Sequence, residues 1–362
     1  MLIEISQRLS PFSHKPGNFF LVPGSSLQVQ VFPTKLFFTD LSVSENASFT
    51  VDVDLQGPHK DFTVEQNLEK GEISVFSHTK EGFVRYTIAA GEKGIELFCE
   101  KVFPRGLTFH IGNEKFTLFS KDSRLLELPS FEKKPSYLAE QISLGVHKKQ
   151  NWEQISQRKQ LCEILPIWFS LSQTVPLQKG SDSYSGTGFF LRQCEDLVAK
   201  GEKLRICDGL LQFFDGAFEG VLAPRCNEVN FLGILPKSLE KASFSSLLLL
   251  QKSYPLLRSL FFKEEEDVFS FVPCLPPEFP AGRMTHVRTS DGDVIHFEWS
   301  KKLLRRVIWI PGRTRKVFLH TPSAIDSFRI RASLKDRGQI FQKGSSIALE
   351  EKKILYFDHF QK

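Results

Sequence analysis

The sequence predicts a multidomain α+β protein that is mainly β: an N-terminal antiparallel β-sandwich, a short helical middle and a C-terminal β-sandwich. Three observations predict it. Near both ends of the chain apolar residues alternate with polar ones at every second position, the pattern of a half-buried strand. Between those regions the apolar spacing becomes that of an amphipathic helix. A charged stretch bounded by prolines, Pro129-Ser130-Phe131-Glu132-Lys133-Lys134-Pro135, reads as the linker after the first β region. The expected divisions are residues 1–130, 131–270 and 271–362.

In the first region Leu27, Val29 and Val31 alternate with Gln28 and Gln30, and Phe49, Val51, Val53 and Leu55 alternate with Thr50, Asp52 and Asp54. Further strands are expected over 73–76, 83–88, 95–102, 107–111 and 115–119, with turns at Gly57-Pro58 and Pro104-Arg105-Gly106. Short strands at this spacing favour a sandwich. In the middle, Leu161, Ile164, Leu165, Trp168 and Leu171 recur at helical spacing within 151–174, and Pro166 predicts a kink or break there. Further helices are expected over 188–200, 206–222 and about 238–262, the last interrupted at Pro255. After Glu266 alternation returns: Ile295, Phe297 and Trp299 flank His296 and Glu298. More strands are expected over 307–310, 316–319, 327–332, 347–349 and 354–357.

With 362 residues the chain is long enough for roughly two domains with real cores. The 35 phenylalanines, against 5 tyrosines and 2 methionines, read as apolar filling for sheet faces. A formal charge of +5, from 47 basic and 42 acidic residues, is too dilute to suggest a nucleic-acid binder. The densest basic stretch is Lys301–Lys316. The six cysteines show no CxxC spacing and no histidine at ligand distance from a pair, so neither a metal site nor a disulfide scaffold is expected. The N-terminus has no basic segment followed by an apolar one, and the longest aliphatic run is Leu247 to Leu250. These features predict a cytoplasmic protein without membrane insertion.

Few motifs carry chemistry. Gly186-Thr187-Gly188 before a helix has the look of a phosphate cradle, but there is no GK[ST] and no third glycine, so a plain loop is expected. Asp215 and Glu219 lie four apart on the helix expected over 206–222, beside Phe214 and Phe218. A pair of carboxylates next to aromatic surface is what glycoside hydrolysis uses. Trp152 and His147 could line a sugar site, and Arg225 could hold an anion or counter the end of the helix. The expected catalytic pair is therefore Asp215 and Glu219, with Trp152, His147 and Arg225 as ligand-binding residues, and no cofactor.

Residues 271–283 read Phe-Val-Pro-Cys-Leu-Pro-Pro-Glu-Phe-Pro-Ala-Gly-Arg, followed by Val287-Arg288, Gly292 and Phe297-Glu298-Trp299. This resembles the junction in glycoside hydrolase family 95 enzymes, the α-L-fucosidases, where a last helix gives way to a C-terminal β module. Pro273, Leu275, Pro276, Gly282, Arg288, Gly292 and Trp299 match in order. The resemblance implies a β–helical–β order of parts and carbohydrate as ligand. That family keeps its catalytic residues in a barrel of twelve helices, which at about 11–12 residues per helix exceeds the middle of this chain. No catalytic residue carries over by position. Pro11–Gly17, Val31-Phe32-Pro33-Thr34 and Leu144–Lys148 also resemble a conserved chlamydial protein family, which implies no activity. The resulting expectation is a carbohydrate-binding relative of glycoside hydrolases with reduced or no catalysis. The alternative is a non-enzymatic protein that binds a protein partner through its β modules, the basic 301–316 stretch contributing.

Overall fold

The computed structural model describes residues 3–42, 47–129, 131, 133–134, 140–178, 185–227, 244–322 and 324–362. Strand makes up 42% and helix 18%, so the mainly β expectation holds. Alternating apolar residues build twelve strands first: β1 (Phe12–Ser13), β2 (Asn18–Leu21), β3 (Leu27–Phe32), β4 (Lys35–Asp40), β5 (Ser48–Val53) and β6 (Lys60–Asn67). These continue as β7 (Glu72–Thr79), β8 (Gly82–Ala90), β9 (Gly94–Lys101), β10 (Leu107–Ile111), β11 (Glu114–Leu118) and β12 (Ser123–Glu127). They form two six-stranded antiparallel sheets, β1-β6-β7-β8-β9-β12 and β11-β10-β5-β4-β3-β2. Side chains from both meet in one core, as in the edge-to-face contact of Tyr86 on β8 with Phe109 on β10. Strands β1, β2, β4, β6 and β12 add to those expected.

The linker ends in β13 (Gln141–Ser143). The helical middle follows as α1 (Trp152–Arg158), α2 (Leu161–Thr174), α3 (Gly188–Ala199) and α4 (Ile206–Ala217). The helix expected over 151–174 is thus two: Lys159 turns left-handed at φ 50° and ends α1. Helix α2 runs on through Pro166. Helix α4 stops at Ala217, five residues short of expectation, and the chain folds into β14 (Phe218–Glu219) and β15 (Ala223–Pro224). Helix α5 (Leu247–Phe261) runs through Pro255; the part of the expected helix over 238–243 lies outside the described residues.

Strands resume directly at β16 (Phe262–Glu265), followed by β17 (Val268–Phe271), β18 (Gly282–Arg288), β19 (Val294–Ser300) and β20 (Leu303–Ile310). The last five are β21 (Arg315–His320), β22 (Ser327–Arg331), β23 (Gln339–Gln342), β24 (Ser346–Leu349) and β25 (Leu355–Gln361). One sheet has the order β13-β18-β19-β20-β25-β22-β23 and the other β16-β17-β21-β24, in which β17 and β21 pair in parallel. Aromatic contacts join their faces: Phe269 meets Trp309 at 4.8 Å and Phe271 meets Phe297 at 5.1 Å between ring centres. Buried Asp293 accepts from Trp309 Nε1, Gly312 N–H and both Arg315 terminal nitrogens, so this buried charge is fully bonded.

One contiguous core runs through all three regions. A second buried carboxylate, Glu140, joins the middle to the C-terminal sheets. It accepts from Arg258 Nε on α5 at 3.0 and 3.1 Å and from the Arg288 N–H on β18 at 3.0 Å. Gln173 on α2 brackets its backbone. No helix among the described residues is long and apolar enough to cross a membrane.

Candidate functional site

Four of the five residues singled out in the sequence meet at one place, the end of α4 against the N-terminal sandwich. Arg225 donates from Nε to Gly216 O and from a terminal nitrogen to Asp215 O. A cation there satisfies orphan carbonyls and complements the helix dipole. Asp215 is held by Lys159 Nζ at 2.7 Å. Trp152 is buried, donates its indole N–H to Gly220 O, and packs edge-on against Phe214 at 6.1 Å. It offers no free face for a sugar, which corrects the expectation of an exposed platform: apolar area this large is worth more inside than in water. Asp215 and Glu219 do not share a helix face, because Glu219 lies on β14. Burial pushes the Glu219 carboxyl up, opposed by the Arg225 charge.

A raised carboxyl suits a general acid. Yet neither Asp215 nor Glu219 lines any of the four best-formed cavities among the described residues. The cluster seals instead. The β14–β15 hairpin lies along the outer edge of β2, where Val221 N–H donates to Phe19 O and Phe20 forms a parallel bridge with Val221. Asn151 bridges Phe12 at the edge of the facing sheet. The phosphate-cradle loop is also consumed internally: buried Thr187 donates its hydroxyl to Arg225 O and its N–H to Cys226 O. In the basic stretch, Arg306 pairs with Glu298, Arg313 with Asp291 and Arg315 with Asp293.

His147 stands apart. It lines a cleft of about 270 Å³ with Glu4, Ser143, Gly282, Arg283 and Trp299, so the N-terminal segment, β13 with the turn after it, and β18–β19 all contribute. Trp299 is buried there with its N–H donated to Phe279 O.

A groove of about 750 Å³, larger than the other three of those cavities, was not foreseen. It lies between β12 and one end of the second sheet, where β3, β4, β5, β10 and β11 start or finish. One wall is the run 124–129 of β12 and its continuation; the other comes from Leu27, Asp40, Phe49, Ile111 and Glu114 of the second sheet. β12 is an outermost strand, paired only with β9 among the described residues. Arg124 reaches Glu114 at 3.3 Å and covers the Phe116 ring at 4.6 Å, and Leu126 is buried, so even-numbered side chains of β12 face the second sheet. Three carboxylates (Asp40, Glu114, Glu127) against one guanidinium leave the walls formally negative by two. A scan against models of protein families finds no match, and neither does a search of curated proteins.

Proposed function

We propose that the chain is a non-enzymatic binding protein that takes an extended, basic segment of a protein partner into the groove beside β12. The observation that carries this reading is the coincidence of a strand edge left unpaired among the described residues with a large groove along it. Strand addition satisfies the partner's backbone at such an edge, while pockets for alternate side chains supply selectivity. Leu27, Phe49 and Ile111 make one wall of the groove largely apolar, and the acidic residues Asp40, Glu114 and Glu127 complement lysine or arginine on the incoming strand. The volume lies within the usual range for ligand sites, about 300–1,000 Å³. The six free cysteines support a cytoplasmic setting for this binding.

The test is a selection from a random twelve-residue peptide display library on the full chain, with recovered peptides titrated by fluorescence anisotropy. Lysine- or arginine-bearing peptides rich in β-branched residues are expected. Ala47→Trp, which places an indole in the groove from an exposed position, should abolish their binding. Recovery of no peptide, or of peptides indifferent to Ala47→Trp, would sink the proposal.

A second reading keeps carbohydrate as the ligand, in the smaller cleft. It is favoured because His147, Gly282 and Trp299 line one cavity, the latter two belonging to the stretch that resembles the fucosidase family. Calorimetric titration with mono- and oligosaccharides should then show heats that vanish in Arg283→Ala. Silence across the panel at millimolar sugar removes this reading.

A further inference from the structure

The ladder between β9 and β12 determines which backbone groups of β12 are left for a partner. Asp122 O accepts from the Cys99 N–H and the Leu128 N–H donates to Lys93 O, both at 2.9 Å. Both bonds belong to the register that sets Ser123 against Phe98 and Glu127 against Gly94. In an antiparallel pair, opposed residues alternate between exchanging both main-chain bonds and exchanging none. Even-numbered residues of β12 therefore direct their N–H and C=O to β9. Those of Ser123, Leu125 and Glu127 point the other way and meet no partner among the described residues. The free stretch is bounded at both ends. The Lys121 N–H, next in phase before Ser123, donates to Cys99 O. The position next in phase after Glu127 is Pro129, which has no N–H. Three outward donor–acceptor sets remain, spaced about 6.8 Å apart, two residues of antiparallel strand.

We propose, resting on the strand-addition reading above, that the partner segment lies antiparallel to β12 with five residues facing Glu127 back to Ser123, and that Glu127 selects a lysine or arginine at the first of them. The antiparallel direction follows from the sheet being joined, whose strands all pair antiparallel, the slightly more stable arrangement per residue. The first, third and fifth residues exchange both main-chain bonds with Glu127, Leu125 and Ser123 and share their outer face. The second and fourth face the second sheet, beside Leu126 and Arg124. Directly opposed side chains then set the preferences. The first residue stands against the exposed Glu127 carboxylate, which favours a cation. The second lies beside buried Leu126 and is apolar. The third covers Leu125, which is 38% exposed, and a β-branched side chain suits that place. The fourth meets the Arg124 guanidinium, so lysine and arginine are repelled there. The partner class is an extended segment that reads basic, apolar, β-branched, non-basic from its N-terminal side.

The experiment is fluorescence anisotropy of the full chain with the synthetic peptide Ser-Gly-Lys-Val-Ile-Thr-Ser-Gly and with copies N-methylated at one residue each, from the lysine to the second serine. Methylation at Lys, Ile or the second Ser should weaken binding at least about 10-fold, because each leaves an outward carbonyl of β12 unmatched; methylation at Val or Thr should stay within about 2-fold. Leu125→Pro removes one outward donor that the β9 ladder does not use, so the chain should stay folded in urea unfolding and bind the peptide at least about 10-fold more weakly. Glu127→Lys should lose the peptide and gain the copy with Glu in place of Lys. That rescue is a gain of binding, which a misfolded variant cannot mimic. Equal loss at all five methylated positions, the opposite phase, or no rescue overturns the inference and leaves peptide binding standing. So does a chain that captures displayed peptides but ignores this one. A chain that binds neither this peptide nor any displayed one overturns the strand-addition reading as well.

Discussion

The N-terminal sandwich has two lateral edges, and the chain treats them oppositely. At one, β1 and β2 are closed by material from far along the sequence: Asn151 against Phe12, and the β14–β15 turn against Phe19 and Phe20. Trp152, Asp215, Glu219 and Arg225 all serve that closure. At the other, β11 and β12 end their sheets with no further strand among the described residues, and a groove opens between β12 and the strand ends of the second sheet. An unprotected strand edge invites pairing and is ordinarily blunted. The comparison teaches that residues with the composition of an active site can be structural cement, while the proposed binding surface lies where the sequence offers no chemical motif.

Four substitutions can break or sharpen this contrast. The largest effect belongs to the sealed edge: Trp152→Ala should remove about 3–5 kcal/mol of stability in urea unfolding, the range for deleting a buried aromatic. A loss near zero would mean the indole is not structural. Next is Gly220→Ala. Gly220 has φ 50°, and a Cβ there would lie 2.4 Å from Phe19 O. Left-handed strain alone costs about 1–3 kcal/mol, and the rigid neighbour adds to it, so a drop in melting temperature is expected.

Third comes pH. Burial raises the Glu219 carboxyl above its unfolded value, opposed only in part by Arg225. A raised carboxyl gives full stability below the unfolded value, about 4.3, and that contribution is lost as pH rises through the folded value. Glu219→Gln should therefore be more stable than wild type at neutral pH. The two proteins should converge in relative stability when titrated to pH 4; a constant difference would show that Glu219 does not titrate differently on folding. The smallest stability effect is at the open edge. Ala47→Trp should stay within about 0.5 kcal/mol of wild type, as exposed substitutions do, while abolishing peptide capture. A large destabilisation would show that the groove is packed rather than open.

Much of the fold was legible because its signals are local. Ile295, Phe297 and Trp299 alternate and are all buried on one face of β19. Helix α3 ends within a residue of expectation, since its apolar stripe stops there. The failures have a common physical cause. Phe214, Ala217, Phe218 and Val221 continue a helical spacing beyond Ala217, yet Gly220 and Leu222 take positive φ and Val221 bonds to Phe19. A partner some 200 residues away in sequence overrides the local pattern, and the segment announces the stop only through Gly220 and Pro224, whose signal the apolar spacing outweighs. Strand β12, Ser-Arg-Leu-Leu-Glu, buries only Leu126 and so has no period to read. The groove was invisible for the same reason. Of the candidate site, the sequence picked side chains by chemical type, and burial then decided what they do: Trp152 had the right ring with no free face, and Asp215 the right charge already matched by Lys159.

Glu140 has a consequence beyond its own bonds. Its side chain binds Arg258 and the Arg288 N–H, while its backbone is bracketed by Gln173. One residue thus ties together chain segments separated by 33, 118 and 148 positions. Melting of the C-terminal sheets alone would strip the Arg288 N–H from this carboxylate, and melting of the helices alone would strip Arg258 and Gln173, so either event leaves a buried charge short of partners. Partial unfolding is penalised at that point from both sides. The helical middle and the C-terminal sheets are thereby coupled through one carboxylate, so loss of order in one weakens the other at this point.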